Sequence, residues 1–252
     1  MAFPLVALFS VFCWIVASLW TWRSARCCFP VFLFALGSLA YFSFILFLWV
    51  AGQRPPLRTL GETRLWYSFF LSLVGLALYL RTRFSWMLSV SALLASVFAV
   101  INVCKPENFD ASLMPALQSM WFVPHVAVYI FSYAILSVAT LLAAVDVWRK
   151  SIPVVHVALC HRLVRMGWGL LTMGMVMGAL WAKEAWGDYW TWDPKETWAA
   201  ATWMTYLVFL HASSRMGVGS RFVMLVCAYL LLQMCWYGIN FLPAAQGSVH
   251  TY

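Results

Sequence analysis

Long runs of apolar residues, broken by short polar segments, extend through the whole sequence. Each run is roughly 17–25 residues long, which is the length that an α-helix needs to cross the hydrocarbon core of a bilayer. The strands of a membrane barrel would instead alternate apolar and polar residues. The pattern therefore predicts an all-α, polytopic helical membrane protein with about eight spanning helices, at about 3–22, 29–50, 63–80, 85–104, 119–147, 162–183, 195–213 and 220–242.

The composition supports this fold class. Of the 252 residues, 64% are hydrophobic and 10% are charged, whereas an average soluble domain is about half apolar and about a quarter charged. No linker is long enough to separate soluble domains, so we expect residues 1–252 to form a single membrane domain. Arg23 and Arg26 follow the first apolar run instead of preceding it, and this order favours a first span over a cleavable signal peptide.

The positive net charge of the chain, +8, comes from basic residues in the short loops between the predicted helices. Membrane proteins encode their topology in this way, so the charge is not taken as a sign of nucleic-acid binding. One set of alternate loops contains Arg23, Arg26, Arg81, Arg83, Arg149, Lys150, Arg162, Arg165, Arg215 and Arg221. The other set contains fewer basic residues and most of the acids. The more basic set is predicted to be cytoplasmic, which places both termini and segment 184–198 outside.

Segment 184–198 concentrates aromatic rings beside acidic residues between two apolar runs. It contains Trp186, Gly187, Tyr189, Trp190, Trp192, Asp193 and Trp198. Tryptophan and tyrosine often form a belt at headgroup depth, and that interpretation stays open here. Four indoles within the 13 residues from Trp186 to Trp198, with a glycine that permits close backbone approach, favour a platform for a large planar apolar ligand.

The second half of this segment also has a structural interpretation. In Asp193-Pro194-Lys195-Glu196, aspartate suits the N-cap, proline the first helical position, and glutamate the position that closes a capping box. Capping alone would account for Asp193 and Glu196 without any ligand. We therefore assign these two acids mainly to shaping the platform.

The predicted topology sorts the five histidines. His125 falls near the outer end of the fifth span and His250 in the outer tail, on the side of the Trp-rich segment. His211 lies toward the inner end of the seventh span, and His156 and His161 are predicted to be solvated residues of an inner loop. A hydrogen-bonded structural role stays open for each of them. Neutral imidazole is a good iron ligand, so two outer histidines are suited to hold a haem by both faces.

Signatures of other chemistries are absent from the sequence. The seven cysteines include no Cys-x-x-Cys pair, so no dithiol–disulfide exchange is expected. There is no His-Glu-x-x-His motif, no carboxylate cluster of the kind that calcium requires, and no phosphate-binding glycine loop.

Residues Trp186–Trp198, W-G-D-Y-W-T-W-D-P-K-E-T-W, resemble the Trp-rich (WWD) signature of the CcsA (ResC) family. These proteins are the haem-handling subunits of the system II machinery for cytochrome c synthesis. The resemblance extends more loosely to His125 with Ser132-Tyr133-Ala134, to His211, and to Gly238-Ile239-Asn240 through His250 and Tyr252. It covers about the C-terminal half, so a haem-handling core is expected at about residues 119–252.

The resemblance implies roles for individual residues. Trp186, Gly187, Trp190, Trp192 and Asp193 would belong to the external haem-binding segment, in which we also include Tyr189 and Trp198. His125 and His250 would ligate the iron of haem b. His211 would be an intramembrane histidine met during haem passage.

The resemblance also implies a reaction and partners. The protein would lie in a bacterial inner membrane or a thylakoid membrane and present haem b outside for attachment to the Cys-x-x-Cys-His motif of apocytochrome c. It would act within a holocytochrome c synthase (haem lyase) complex, with a CcsB (ResB)-type membrane protein and a thioredoxin-like thiol reductant as partners. Two alternatives stay open: a haem exporter without an attachment role, and a structural subunit of a respiratory membrane complex.

Overall fold

The computed structural model describes residues 2–24, 28–109, 119–149 and 153–243. Within these ranges the chain is helical and contains no strand. Its long helices are α1 (Ala2–Arg23), α2 (Phe29–Gly52), α3 (Leu60–Thr82), α4 (Ser85–Cys104), α5 (Phe122–Trp148), α6 (Val154–Trp186), α7 (Pro194–Ala212) and α8 (Val218–Trp236). Short 3-10 helices occur at Pro106–Phe109, Ser213–Arg215 and Gly238–Phe241.

Seven of these helices, α1–α6 and α8, are long and apolar enough to cross a membrane. The fold class predicted from the apolar runs, an all-α polytopic membrane protein, is confirmed. Helix α7 corresponds to the predicted seventh span but is not among the seven. Its first turn contains Lys195 and Glu196, and His211 lies in its last turn, so its apolar stretch is shorter than those of the others.

The start of α6 differs from the prediction. The helix begins at Val154, eight residues before the predicted span, so His156 and His161 lie in a helix and not in a loop. His156 is buried, and its Nδ1 lies 2.5 Å from Oδ1 of Asp146 in α5. The prediction of a solvated loop was wrong because a carboxylate on the preceding helix, and not water, satisfies this imidazole.

The chain divides into two compact units, Met1–Ala111 and Ser112–Tyr252. In the first unit, α1 packs on α2 and α4, and α3 packs on α4 and α2. The connection from α2 to α3 is held by Glu62, whose carboxylate pairs with the Arg54 guanidinium at 2.8 Å and accepts the Arg58 N–H at 2.7 Å. The expected single membrane domain stays a prediction.

The second unit consists of α5–α8, in which α5 packs on α6 and α8, and α7 packs on α6 and α8. Neighbouring helices run antiparallel: Phe122 at the start of α5 stacks near Trp181 late in α6. Cys235 at the end of α8 likewise lies near Lys195 at the start of α7. We call the end with the starts of α5 and α7 the tryptophan end, and the opposite end the arginine end.

Candidate functional site

The Trp-rich segment connects α6 to α7 at the tryptophan end. Helix α6 ends at Trp186, and Gly187 caps it with a φ of 92°, a left-handed conformation that glycine adopts at little cost. The Gly187 N–H bonds to the carbonyl of Lys183 at 3.1 Å, and the Lys183 ammonium donates to the Gly187 carbonyl at 2.5 Å. Trp192 also has a positive φ, 59°. Such a conformation is uncommon for a bulky residue and often marks a binding site.

The predicted capping box at the start of α7 is confirmed. The Asp193 carboxylate accepts the Lys195 N–H at 2.9 Å, and the Glu196 carboxylate accepts the Asp193 N–H at 3.2 Å. Glu196 also accepts the N–H of Thr191 at 2.8 Å. Both acids are buried, so they brace the connection from the inside of the segment.

Replacing Glu196 with alanine should loosen this connection. The change removes the acceptor of the Thr191 and Asp193 N–H groups, and for Asp193, which is buried, the loss costs about 1–3 kcal/mol. We expect a lower thermal unfolding midpoint and faster proteolytic cleavage within residues 187–193. Asp188→Ala is the matched control, because Asp188 is an exposed acid of the same connection. Equal effects of the two variants would contradict the bracing role.

The aromatic side chains of the segment are unevenly exposed. Trp192 is 68% exposed and Tyr189 is 56% exposed, while Trp190 and Trp198 are half-buried. The Trp190 and Trp192 rings meet edge to face with centroids 5.7 Å apart. The Trp190 Nε1 atom is buried and has no acceptor among the described residues, although a buried indole N–H normally finds one. The segment therefore presents a large apolar surface next to an unused hydrogen-bond donor.

His125 lies in the first turn of α5, at the same end. Its Nδ1 lies 2.8 Å from the carbonyl oxygen of Gly174 in α6. A carbonyl only accepts hydrogen bonds, so the neutral imidazole carries its proton on Nδ1 and its lone pair on Nε2. A backbone carbonyl that orients a histidine in this way is the usual outer partner of a metal-ligating imidazole.

Two glycines of α6 make room for the α5 rings. A Cβ built on Gly178 would lie 2.7 Å from Cε1 and 2.8 Å from Nδ1 of His125, and a Cβ on Gly174 would overlap the Tyr129 ring. These two glycines were not among the predicted site residues. Their spacing, Gly-x-x-x-Gly within an apolar run, is the signal of close helix approach that would have found them.

Trp181 links His125 to the Trp-rich segment. Its ring is 2% exposed and stacks on His125 with centroids 5.5 Å apart. The same indole also contacts Trp186 edge to face, with ring centroids 4.9 Å apart. Trp181 and Phe122 form a buried core cluster at this end. Trp181 was not among the predicted site residues, although it positions two of them.

A polar contact also connects the start of α5 to the end of α6 at the tryptophan end. The Ser119 hydroxyl donates to the Glu184 carboxylate at 2.5 Å and accepts the Trp121 N–H at 3.1 Å. It thereby ties the residues before α5 to the last turns of α6.

The structure does not bring all predicted site residues together. His211 is exposed in the last turn of α7, at the arginine end, where its Nδ1 donates to the Leu207 carbonyl at 2.9 Å. His250 lies outside the described residues, so its pairing with His125 stays a prediction. Within the described ranges, no three His, Cys, Asp or Glu side chains converge as a metal site.

Comparison with known proteins identifies the family. The sequence model for cytochrome c assembly proteins matches residues 57–245, which is most of the chain. The chain belongs to this family. The cytochrome c biogenesis protein CcsA of Chlamydomonas reinhardtii is 31% identical over 242 residues, covering 88% of this chain and 68% of the relative. CcsA of Nymphaea alba is 31% identical over 247 residues, covering 81% and 79%. The resemblance to the CcsA family is thus confirmed.

The fold also has a solved counterpart. A structure of the cytochrome c heme lyase CcmF superposes on this CcsA-family chain with a TM-score of 0.74 and 19% identity. The match covers 94% of this chain but 47% of the CcmF chain, so this protein spans about half the length of that one. At this identity the likeness establishes the helical fold alone.

Proposed function

We propose that this protein holds haem b at the tryptophan end and presents it for covalent attachment to apocytochrome c. It would do so as the haem-handling subunit of a system II cytochrome c synthase. The observation that carries the proposal is the hydrogen bond of His125, whose Nδ1–H is directed to the Gly174 carbonyl at 2.8 Å. This tautomer presents the Nε2 lone pair that iron requires.

The aromatic surface at the same end of the second unit suits a haem. The exposed rings of Tyr189 and Trp192 offer apolar area for the macrocycle. His250 would supply the second axial nitrogen from the tail.

The attachment step needs no nucleophile from this chain. Each thiol of the Cys-x-x-Cys-His motif adds across a haem vinyl group: a carbon–sulfur bond forms, the thiol proton goes to the other vinyl carbon, and no net oxidation occurs. The contribution of this chain is to hold the vinyl groups where the thiols reach them, which is a proximity effect. The histidine of the apocytochrome would then displace one axial histidine. A thioredoxin-like reductant would keep the thiols reduced, and a CcsB-type protein would complete the complex.

The reaction is proposed to occur on the outer side of a bacterial inner membrane or a thylakoid membrane. The distribution of basic residues supports this placement, because the loops at the arginine end are the more basic set. A haem exporter is the second candidate. The observation that favours it is His211, an imidazole at the arginine end, where a passing haem would be met.

Loss of two platform rings tests the attachment function. We expect Trp190→Ala/Trp192→Ala to lower covalently attached haem in a co-expressed cytochrome c about tenfold, because each ring contact contributes about 0.5–1.5 kcal/mol. The measurement is haem staining of the denatured cytochrome, together with the Soret absorbance of the purified protein. The control Trp20→Ala/Trp148→Ala removes two exposed indoles elsewhere. Normal attachment in the platform variant would refute the proposal, while normal attachment with lost haem export would favour the exporter.

A further inference from the structure

The arginine end of the second unit contains a cleft that is open to the outside of the helices. It lies between the last turns of α5 and α7 and the first turns of α6 and α8. Much of its lining is apolar and includes Ala143, Val157, Phe222 and Leu225. A cleft with this lining at the ends of membrane helices accommodates a hydrocarbon chain.

One cation of the cleft lacks a matching anion. Arg221 lines the cleft and donates from Nε to the Met216 carbonyl at 3.0 Å. The described residues offer no carboxylate to its terminal nitrogens. Asp146 also lines the cleft, but its carboxylate is already paired with His156 at 2.5 Å. A guanidinium beside apolar surface is stabilised when an anion completes its hydrogen bonds.

The start of α8 adds to the positive potential. Arg221 lies in the first turns of this helix, and the N-cap Gly217 contributes no side-chain hydrogen bond to the backbone N–H groups there. Uncapped N–H groups and the helix dipole both favour a bound anion. Three further arginines of this end, Arg162, Arg165 and Arg215, are exposed.

The opposite wall of the cleft is held by contacts between α6 and the end of α7. His161 lines it, and its Nε2 lies 3.1 Å from the Ser213 hydroxyl. The imidazole also packs on Phe209 with ring centroids 5.3 Å apart. These contacts tie α6 to the end of α7, and they show that His161 already has partners on this wall of the cleft.

We propose that this cleft binds an anionic phospholipid, with its phosphate on Arg221 and an acyl chain along Phe222 and Leu225. Basic pockets between spanning helices at the cytoplasmic side are suited to acidic lipid headgroups. The predicted topology places the arginine end on that side. A free phosphate would use the cation but not the apolar wall, so the lining favours a lipid. This site is independent of the proposed haem function.

Native mass spectrometry of the purified protein, titrated with phosphatidylglycerol or phosphatidylcholine, tests the site. We expect phosphatidylglycerol to bind about fivefold more tightly than phosphatidylcholine, and Arg221→Gln to remove this preference, as for one cation near a lipid headgroup. Arg215→Gln is the matched control, since it removes an exposed charge at the same end and should leave the preference intact. Equal binding of the two lipids, or an unchanged preference in Arg221→Gln, would overturn the proposal.

A second variant tests the same site if Arg221→Gln fails to fold. Ala143→Leu fills the apolar part of the cleft and leaves the charge in place, so it should weaken phosphatidylglycerol binding about fivefold or more. Inorganic phosphate is added in a parallel arm, and competition as strong as that of the lipid would overturn the assignment of a lipid. Haem content is recorded in the same samples. A Soret band that disappears in Arg221→Gln would assign the cleft to haem, whereas an unchanged band with lost lipid supports the proposal.

Discussion

Replacing His125 with alanine is expected to abolish the Soret absorbance of the purified protein, and added imidazole is expected to restore it. Removing an outer partner of a metal ligand typically costs about 10–100-fold in affinity, so loss of the ligand itself should cost at least about 100-fold. Imidazole can occupy the vacated space between Trp181 and Tyr129, whose rings lie 5.5 Å and 4.7 Å from that of His125. The measurement is a spectrum of the protein co-expressed and purified with the proposed CcsB-type partner.

The matched control for this change is His161→Ala at the arginine end. The same His→Ala change is made there, away from the tryptophan end, and it should leave the Soret band intact. A His125→Ala protein that keeps its haem, with an unshifted spectrum, would show that this histidine is not an iron ligand.

The second large effect is expected from Gly178→Ala, which changes none of the proposed ligand residues. The added methyl group would lie 2.7 Å from the His125 ring, so the imidazole must shift from its position on α6. Overpacking of this kind costs about 1–3 kcal/mol. We expect at least a tenfold loss of haem affinity and of attached haem, measured by titration and by haem staining.

Gly169→Ala provides the control on the same helix, since a Cβ at Gly169 meets nothing within 4 Å. It should bind haem normally and unfold at the wild-type temperature or above. If Gly178→Ala also binds haem normally, the close packing of His125 against Gly178 does not position the imidazole for haem. Adding imidazole to Gly178→Ala distinguishes a displaced ligand from a collapsed pocket, because only the former recovers the Soret band.

Much of the helical architecture could be predicted because the signals are local. Apolar runs of about 20 residues specify spanning helices wherever they occur, and the runs predicted α1–α5 closely, whereas α8 ends at Trp236, six residues before the predicted end of its span. The Asp193-Pro194-Lys195-Glu196 pattern predicted the start of α7, since a capping box involves only residues within one turn. The start of α6 was mispredicted because the partner of His156 is Asp146, on a different helix.

The sequence by itself determined the membrane class, the family and the Trp-rich segment, because composition, apolar period and a 13-residue motif are all visible along the chain. Only the tertiary structure decided which ring nitrogen of His125 carries the proton, because the carbonyl that accepts it belongs to Gly174, 49 residues away in sequence. It also decided that Trp181 joins His125 to Trp186, and that Arg221 faces an apolar cleft. These features depend on how neighbouring helices pack, and the apolar period of a membrane helix does not specify which residue of the next helix will lie opposite.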